Sequence, residues 1–319
     1  MSEANAGVLK VLFVKKSGRQ SGGHIKFHDY FDHCLAHRRL DPYVYFANDR
    51  TSDVGAIWAG LASERVQPRL DVEPVDLLFI DGRDWELIPP TAGQKTVIHL
   101  LQDFRHADPG DPRFTFLRRP ALRICVSHEL AEVVRPHACG PFAAIPNGID
   151  PSMFHPAAKE PGSVLVWARK APELGKAIRA QLARRGLAVR LMTRPVARER
   201  FARLLAATDV FVALPKRGEG FFLPPLEAMA SGCAVVCADG DGNRGFCIDR
   251  ETCRMPPFGA LDDHVRLVEE LLVDRAQREA LRARGMEVAR GYTLESERDA
   301  FYQFVEDHVL TAQTTRVAS

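Results

Sequence analysis

Gly218-Glu219-Gly220-Phe221-Phe222-Leu223-Pro224-Pro225-Leu226-Glu227-Ala228-Met229-Ala230-Ser231-Gly232 is the stretch on which the interpretation of this chain turns. Prolines early and a glycine late predict a short helix that opens at Pro224-Pro225 and stops at Gly232. The proline positions give up backbone N–H groups that would be unpaired anyway. The remaining free N–H groups of the first turn form a partial positive charge suited to a phosphate. Glu227 stands beside that charge, too close to a bound diphosphate to contact it, so its use is to accept hydrogen bonds from neutral hydroxyls such as those of a ribose. The helix dipole alone also favours an acid there. Glu219 has no such helical reason: it lies in a glycine-flanked loop among apolar residues that would desolvate it, facing whatever the phosphate carries.

Upstream of this stretch, short apolar runs alternate with helical patterns. Val8 to Val14 leads through Gly22-Gly23 into an amphipathic stretch from His24 to Ala36. Tyr43 to Ala47, Val75 to Ile80, Thr96 to Leu101 and Leu122 to Val126 repeat the strand signal. Pro156 to Gly162, rich in Pro, Gly and charge, is a linker signal, and a second series follows it: Ser163 to Trp167, Val189 to Thr193, Val210 to Leu214 and Ala234 to Ala238. The pattern predicts parallel α/β sheets covered on both faces. One or two charge-laced helices are expected over Leu261 to Arg290, and a last helix over Leu294 to Leu310.

A length of 319 residues fits two domains, each with its own core. The formal charge of +2 argues against nucleic acid as a partner. The seven cysteines are an odd number without paired C-x2-C spacing, which points to reduced thiols rather than zinc or disulfides. The N-terminus lacks a secretory pattern and no apolar run is long enough to span a membrane, so a cytoplasmic location is expected.

The Glu219 to Glu227 segment resembles the Glu-x7-Glu motif of retaining glycosyltransferases of family four, which have the GT-B fold. Ile145-Pro146-Asn147-Gly148-Ile149-Asp150 with Phe154-His155-Pro156, the Gly22-Gly23 pair, and Val126-Ser127 with the helix after it are similar to further passages of that family, in the same order. The resemblance implies two Rossmann-like domains with parallel sheets facing across a cleft: residues 1–158 plus a C-terminal helix 299–319, on the acceptor side, and residues 159–298, which bind the nucleotide sugar. It implies metal-independent transfer of a sugar from a nucleoside diphosphate sugar to an acceptor hydroxyl, with retention. The alternatives are a nucleotide-sugar epimerase of the same fold and a catalytically degenerate sugar-nucleotide-binding subunit. No cofactor is expected beyond the nucleotide-sugar co-substrate. The acceptor, whether glycan, lipid-linked or small molecule, stays open, as do peripheral membrane contact and oligomeric state.

By the same resemblance, Gly22, Gly23, Arg169, Phe221, Phe222, Leu223 and Glu227 bind the donor, and Lys170 and Lys176 compete for a second phosphate-binding role. Glu219 is the expected catalytic carboxylate. Where the family places a histidine, the end of the Thr96 to Leu101 strand carries Gln102-Asp103, with His106 in the following loop. Gln102 is a candidate substitute for that histidine, and Asp103 or His106 a candidate base for the acceptor hydroxyl. Phe222 departs from the family's glycine, implying a tighter backbone approach to the sugar or a different sugar. Asp239-Gly240-Asp241-Gly242-Asn243-Arg244 resembles a late glycine-asparagine loop; its position in the second domain argues against a metal-binding D-x-D.

Overall fold

The computed structural model describes residues 7–16, 22–48 and 56–311. The chain divides into two compact units, residues 1–145 with 298–319, and residues 146–297.

In the first unit, β1 (Leu9–Lys15), β2 (Leu40–Phe46), β3 (Leu77–Asp81), β4 (Thr96–Leu101), β5 (Leu122–Cys125) and β6 (Phe142–Ala144) form one parallel sheet in the order β2-β1-β3-β4-β5-β6. The central strands are near-continuous apolar runs because both faces are covered; all five residues of β3 are buried. Helix α1 (Gly22–Leu35) seats Phe27 and Phe31 edge-on against Phe13, which stacks on Phe79 at 4.4 Å. The short helices α2 (Arg113–Phe116) and α3 (His128–Val134) flank β5. Ser127 caps α3 by accepting from the Leu130 N–H at 3.2 Å. The crossover from β3 to β4 is not a helix. It consists of 3-10 turns at Asp84–Leu87 and Pro90–Ala92, because Pro89-Pro90 and Gly93 deny it a regular ladder.

The second unit holds β7 (Val164–Trp167), α4 (Pro172–Arg184), β8 (Val189–Met192), α5 (Arg198–Ala207), β9 (Val210–Ala213), α6 (Leu223–Ala230), β10 (Ala234–Cys237), α7 (Leu261–Val273) and α8 (Arg275–Ala289). Its parallel sheet runs β10-β9-β7-β8. The Leu261 to Arg290 pattern is two helices, separated at Asp274, whose carboxylate caps α8 by accepting from the Gln277 N–H at 2.9 Å.

The boundary expected near residue 158 is corrected to 145/146. Pro, Gly and charge mark an irregular path, but the chain is tied into the second unit well before that path begins. Ile149 exchanges backbone hydrogen bonds with Tyr292 (2.9 Å) and Leu294 (3.0 Å), and the Gly148 N–H donates to the Glu297 carboxylate. Lys159, inside the expected linker, donates to the carbonyls of Leu205 and Ala206 (3.0 Å each) and of Ser231, capping the carboxyl ends of α5 and α6. Helix α9 (Leu294–Val305) carries the chain back: from Arg298 on it belongs to the first unit, where Phe301 packs edge-on against Tyr30 at 5.1 Å and the Tyr302 hydroxyl donates to His33 O at 2.8 Å. No helix among the described residues is long and apolar enough to cross a membrane.

Candidate active site

Three loops of the second unit leave the carboxyl ends of adjacent parallel strands, where open α/β sheets bind their ligands. Arg169-Lys170 follow β7, Glu219 follows β9, and Asp239 to Arg244 follow β10. The last two loops brace each other. The Glu219 N–H donates to Gly240 O at 3.1 Å and the Gly242 N–H to Glu219 O at 2.9 Å, while the Gly218 N–H reaches the Asp241 carboxylate at 2.8 Å. Asn243 closes the β10 loop from inside, accepting from the Gly240 N–H at 2.8 Å and donating to Ala238 O at 3.1 Å. Asp241 adopts a φ of 75°, a left-handed conformation that Asp tolerates better than most residues. A Cβ on Gly242 would overlap the carbonyl oxygens of Glu219 and Gly220, so glycine is required there by close approach.

The Glu219 backbone is therefore fixed, and its carboxylate is left unsatisfied: Oε1 is buried with no hydrogen bond, and Lys170 Nζ stands 3.5 Å away. Buried polar atoms without partners are uncommon, and this one lies where a ligand group is expected. Asp239 and Asp241 both pair with Arg244, at 2.7 and 2.8 Å, which gives this D-x-D a structural use.

Helix α6 begins at Leu223, with the two prolines in its first turn, and ends as expected. Gly232 adopts a φ of 75°, its N–H donates to Met229 O, and the Cys233 N–H donates to Ala228 O, a Schellman closure. Phe222, in the place of the family's glycine, has an ordinary φ of −103°. Its ring is buried in the core of this unit, whereas Phe221 leans on Phe246 at 5.1 Å. Glu227 is only 1 % exposed, and Arg198, the first residue of α5, donates to its Oε1 at 2.5 Å. Nothing in the sequence distinguishes Arg198, one of four arginines from Arg194 to Arg203.

The two candidate lysines separate. Lys176 is drawn to the outside of α4 by Glu173, three residues earlier, at 2.7 Å, whereas Lys170 stands beside Glu219. Arg169 rests over the Trp167 ring at 5.7 Å, and among the described residues it makes no ion pair.

In the first unit, Gly22-Gly23 opens α1 instead of forming a loop; Ser17 and Gly18, ahead of the pair, lie outside the described residues. Gln102 fills the space beside Gly23. Its Nε2 donates to Gly23 O at 3.1 Å and to Asp81 at 2.9 Å, and a Cβ on Gly23 would come within 3.3 Å of it. Below lies a buried ionic triad that sequence reasoning missed: Lys15, at the end of β1, pairs with Asp81 and, at 3.2 Å, with Asp84. Burial pushes Asp81 up, but the Lys15 charge and hydrogen bond outweigh it and hold it below the usual range. Asp84 is pushed up to about 8, by burial first and by the Asp81 charge second.

The consequence for stability has a definite sign. In the unfolded chain an aspartate ionises near pH ~3.9, but folded Asp84 keeps its proton to about 8. The folded state thus holds the extra proton between those values, and stability falls as pH rises through that window. Asp84→Asn should flatten that fall and melt above the parent at pH 8; melting curves that run parallel for both proteins from pH 4 to 8 would contradict this account.

The two candidate bases do not stand as expected. Asp103 caps the 3-10 turn Phe104–Ala107, accepting from the Arg105 N–H at 3.0 Å, and pairs with the Arg105 guanidinium at 2.6 Å. His106 lies inside that turn rather than on an exposed loop: it is 1 % exposed and sits edge-on against buried His99 at 5.3 Å. Burial, then the Arg113 charge, lowers its pKa to about 4. The turn thus carries the imidazole inward, where burial makes it a weaker base than an exposed histidine.

Residues 178–288, which contain both Glu219 and Glu227, match the family model described as glycosyl transferases group 1. The fold is GT-B. Sucrose-phosphate synthase from Thermosynechococcus elongatus superposes with a TM-score of 0.73 at 14 % identity, covering 97 % of this chain and 100 % of that one. HepE from Anabaena, in complex with UDP-glucose, gives 0.71 at 17 % identity over 94 % and 100 %. A glycosyltransferase from Rickettsia africae gives 0.69 at 11 % identity over 94 % and 98 %. The search of curated proteins found no match. The comparisons thus give the chain a GT-B fold and, within its second unit, a segment that matches the group 1 glycosyl transferase model.

Proposed function

We propose that this chain transfers a sugar from a nucleoside diphosphate sugar to an acceptor hydroxyl, with retention and without a metal ion. The observation that carries the proposal is the Glu219 carboxylate, locked by its backbone to the β10 loop, with Oε1 buried, unbonded and 3.5 Å from Lys170. Glu219 orients the donor sugar and supports positive charge developing at its anomeric carbon. Arg169, Lys170 and the free N–H groups at the start of α6 take the charge of the departing diphosphate. Glu227 holds the ribose. Gln102 acts by fixing the start of α1, since its amide N–H groups are committed to Gly23 and Asp81. All seven cysteines are free and six are buried, which fits a reducing, cytoplasmic setting. HepE, bound to UDP-glucose, supports a nucleotide sugar as donor.

The test begins with thermal shifts in UDP, GDP, ADP and dTDP and their sugars, because a ligand that binds only the folded state raises the melting temperature. Transfer should then survive excess EDTA. Arg169→Ala should lower turnover by about tenfold or more with metal present or absent, as fixed positive charge at the leaving group is lost. Activity abolished by chelation and restored by magnesium or manganese would overturn the metal-free mechanism.

A further inference from the structure

Arg198 is held at both ends. Its guanidinium lies over the buried Phe154 ring at 5.0 Å and donates to Glu227 Oε1 at 2.5 Å; it is 25 % exposed at the side chain, Glu227 only 2 %. Phe154 comes from the turn after Ile149, Arg198 from the first residue of α5 and Glu227 from inside α6, so three separate segments of the second unit converge on this pair. Among the described residues, Arg198 is the hydrogen-bond donor to the Glu227 carboxylate, at Oε1, and Oε2 is not one of the fully enclosed oxygens without a partner. Here one oxygen is engaged and the other is kept open.

Resting on the ribose role assigned to Glu227 above, we propose that Arg198 is a positioning residue for donor binding: it takes Oε1 and so presents Oε2, fixed in direction, to a ribose hydroxyl. Arginine suits the task better than lysine because its flat guanidinium can stack on Phe154 while it donates to the carboxylate. A ribose hydroxyl is as far from the reacting bond in the transition state as in the ground state, so the contribution belongs to binding rather than to the chemical step.

The test measures the dissociation constant of UDP, GDP, ADP or dTDP, whichever raises the melting temperature of the parent chain, alongside KM and kcat with the matching sugar nucleotide. Arg198→Met should weaken nucleotide binding about tenfold, with the loss appearing in KM and hardly in kcat, and Arg198→Lys should recover part of it. Glu227→Ala should weaken binding to a similar degree, and the Arg198→Met/Glu227→Ala pair should be little worse than either single variant, as residues acting through one contact are not additive. Should Arg198→Met fold poorly because it strands a buried charge, Arg198→Met/Glu227→Gln leaves no charge unpaired and must still bind about tenfold more weakly than the parent. Nucleotide affinity unchanged in Arg198→Met while Glu227→Ala loses it, or losses that add in the double variant, would overturn the role of Arg198 and leave that of Glu227 standing. A parent chain that binds none of UDP, GDP, ADP and dTDP would overturn the proposed function and this inference with it.

Discussion

Glu219→Gln should fold and bind nucleotide as the parent does, yet lose transfer by about two orders of magnitude or more. The amide has the shape of the carboxylate and sits on a backbone already fixed by hydrogen bonds to Gly240 and Gly242, so the fold has no reason to change. What disappears, on the role proposed for Glu219, is a negative charge at the anomeric carbon, and preorganised charge of this kind is commonly worth about a hundredfold to a thousandfold in turnover. Stopped-time transfer assays with a thermal-shift measurement on the same samples separate the two effects. Turnover near the parental rate in a variant that still binds nucleotide would remove Glu219 from the chemistry.

Gly242→Ala should be nearly as damaging without touching any chemical group of the site. The added methyl cannot be accommodated by a side-chain adjustment, because the atoms it meets are the carbonyl oxygens of Glu219 and Gly220. The β10 loop or the Glu219 segment must move, and a displacement of about 1 Å of a catalytic group can cost about a hundredfold. A melting temperature lowered by several degrees should accompany the loss of activity. Gly60→Ala is the control: a Cβ there meets nothing within 4 Å, so the same substitution should be silent. Parental turnover and melting in Gly242→Ala would show that the two loops do not brace one another in solution.

The strands were legible where they were buried on both faces, since β3 runs apolar from Leu77 to Ile80 and β4 is apolar after Thr96 apart from His99, runs that no exposed helix would carry. Strand β6 was not: its three residues, Phe142, Ala143 and Ala144, are half-buried at a sheet edge and too few to form a pattern. The Glu219 loop and α6 announced themselves through glycine and proline, whose backbone chemistry is local. The Lys15–Asp81–Asp84 triad and the Arg198–Glu227 pair did not, because each is made of common charged residues far apart in sequence, and only the fold brings them together. His106 misled for the opposite reason. Its place after a strand made it a candidate base in a loop, whereas the 3-10 turn that Asp103 caps rotates it into the interior.

The return of the chain to its first unit at Arg298 has a consequence for biosynthesis. Residues 146–297 are contiguous, so this unit has all of its sequence as soon as they have left the ribosome, and it can close independently. The first unit, although synthesised earlier, must wait with the aromatic surface around Tyr30 and Phe79 uncovered until Phe301 arrives. Translation order and completion order are therefore reversed. A ribosome stalled just before Arg298 would hold a finished second unit tethered to an unfinished first one, and it is that earlier-made half that chaperones would be called upon to protect.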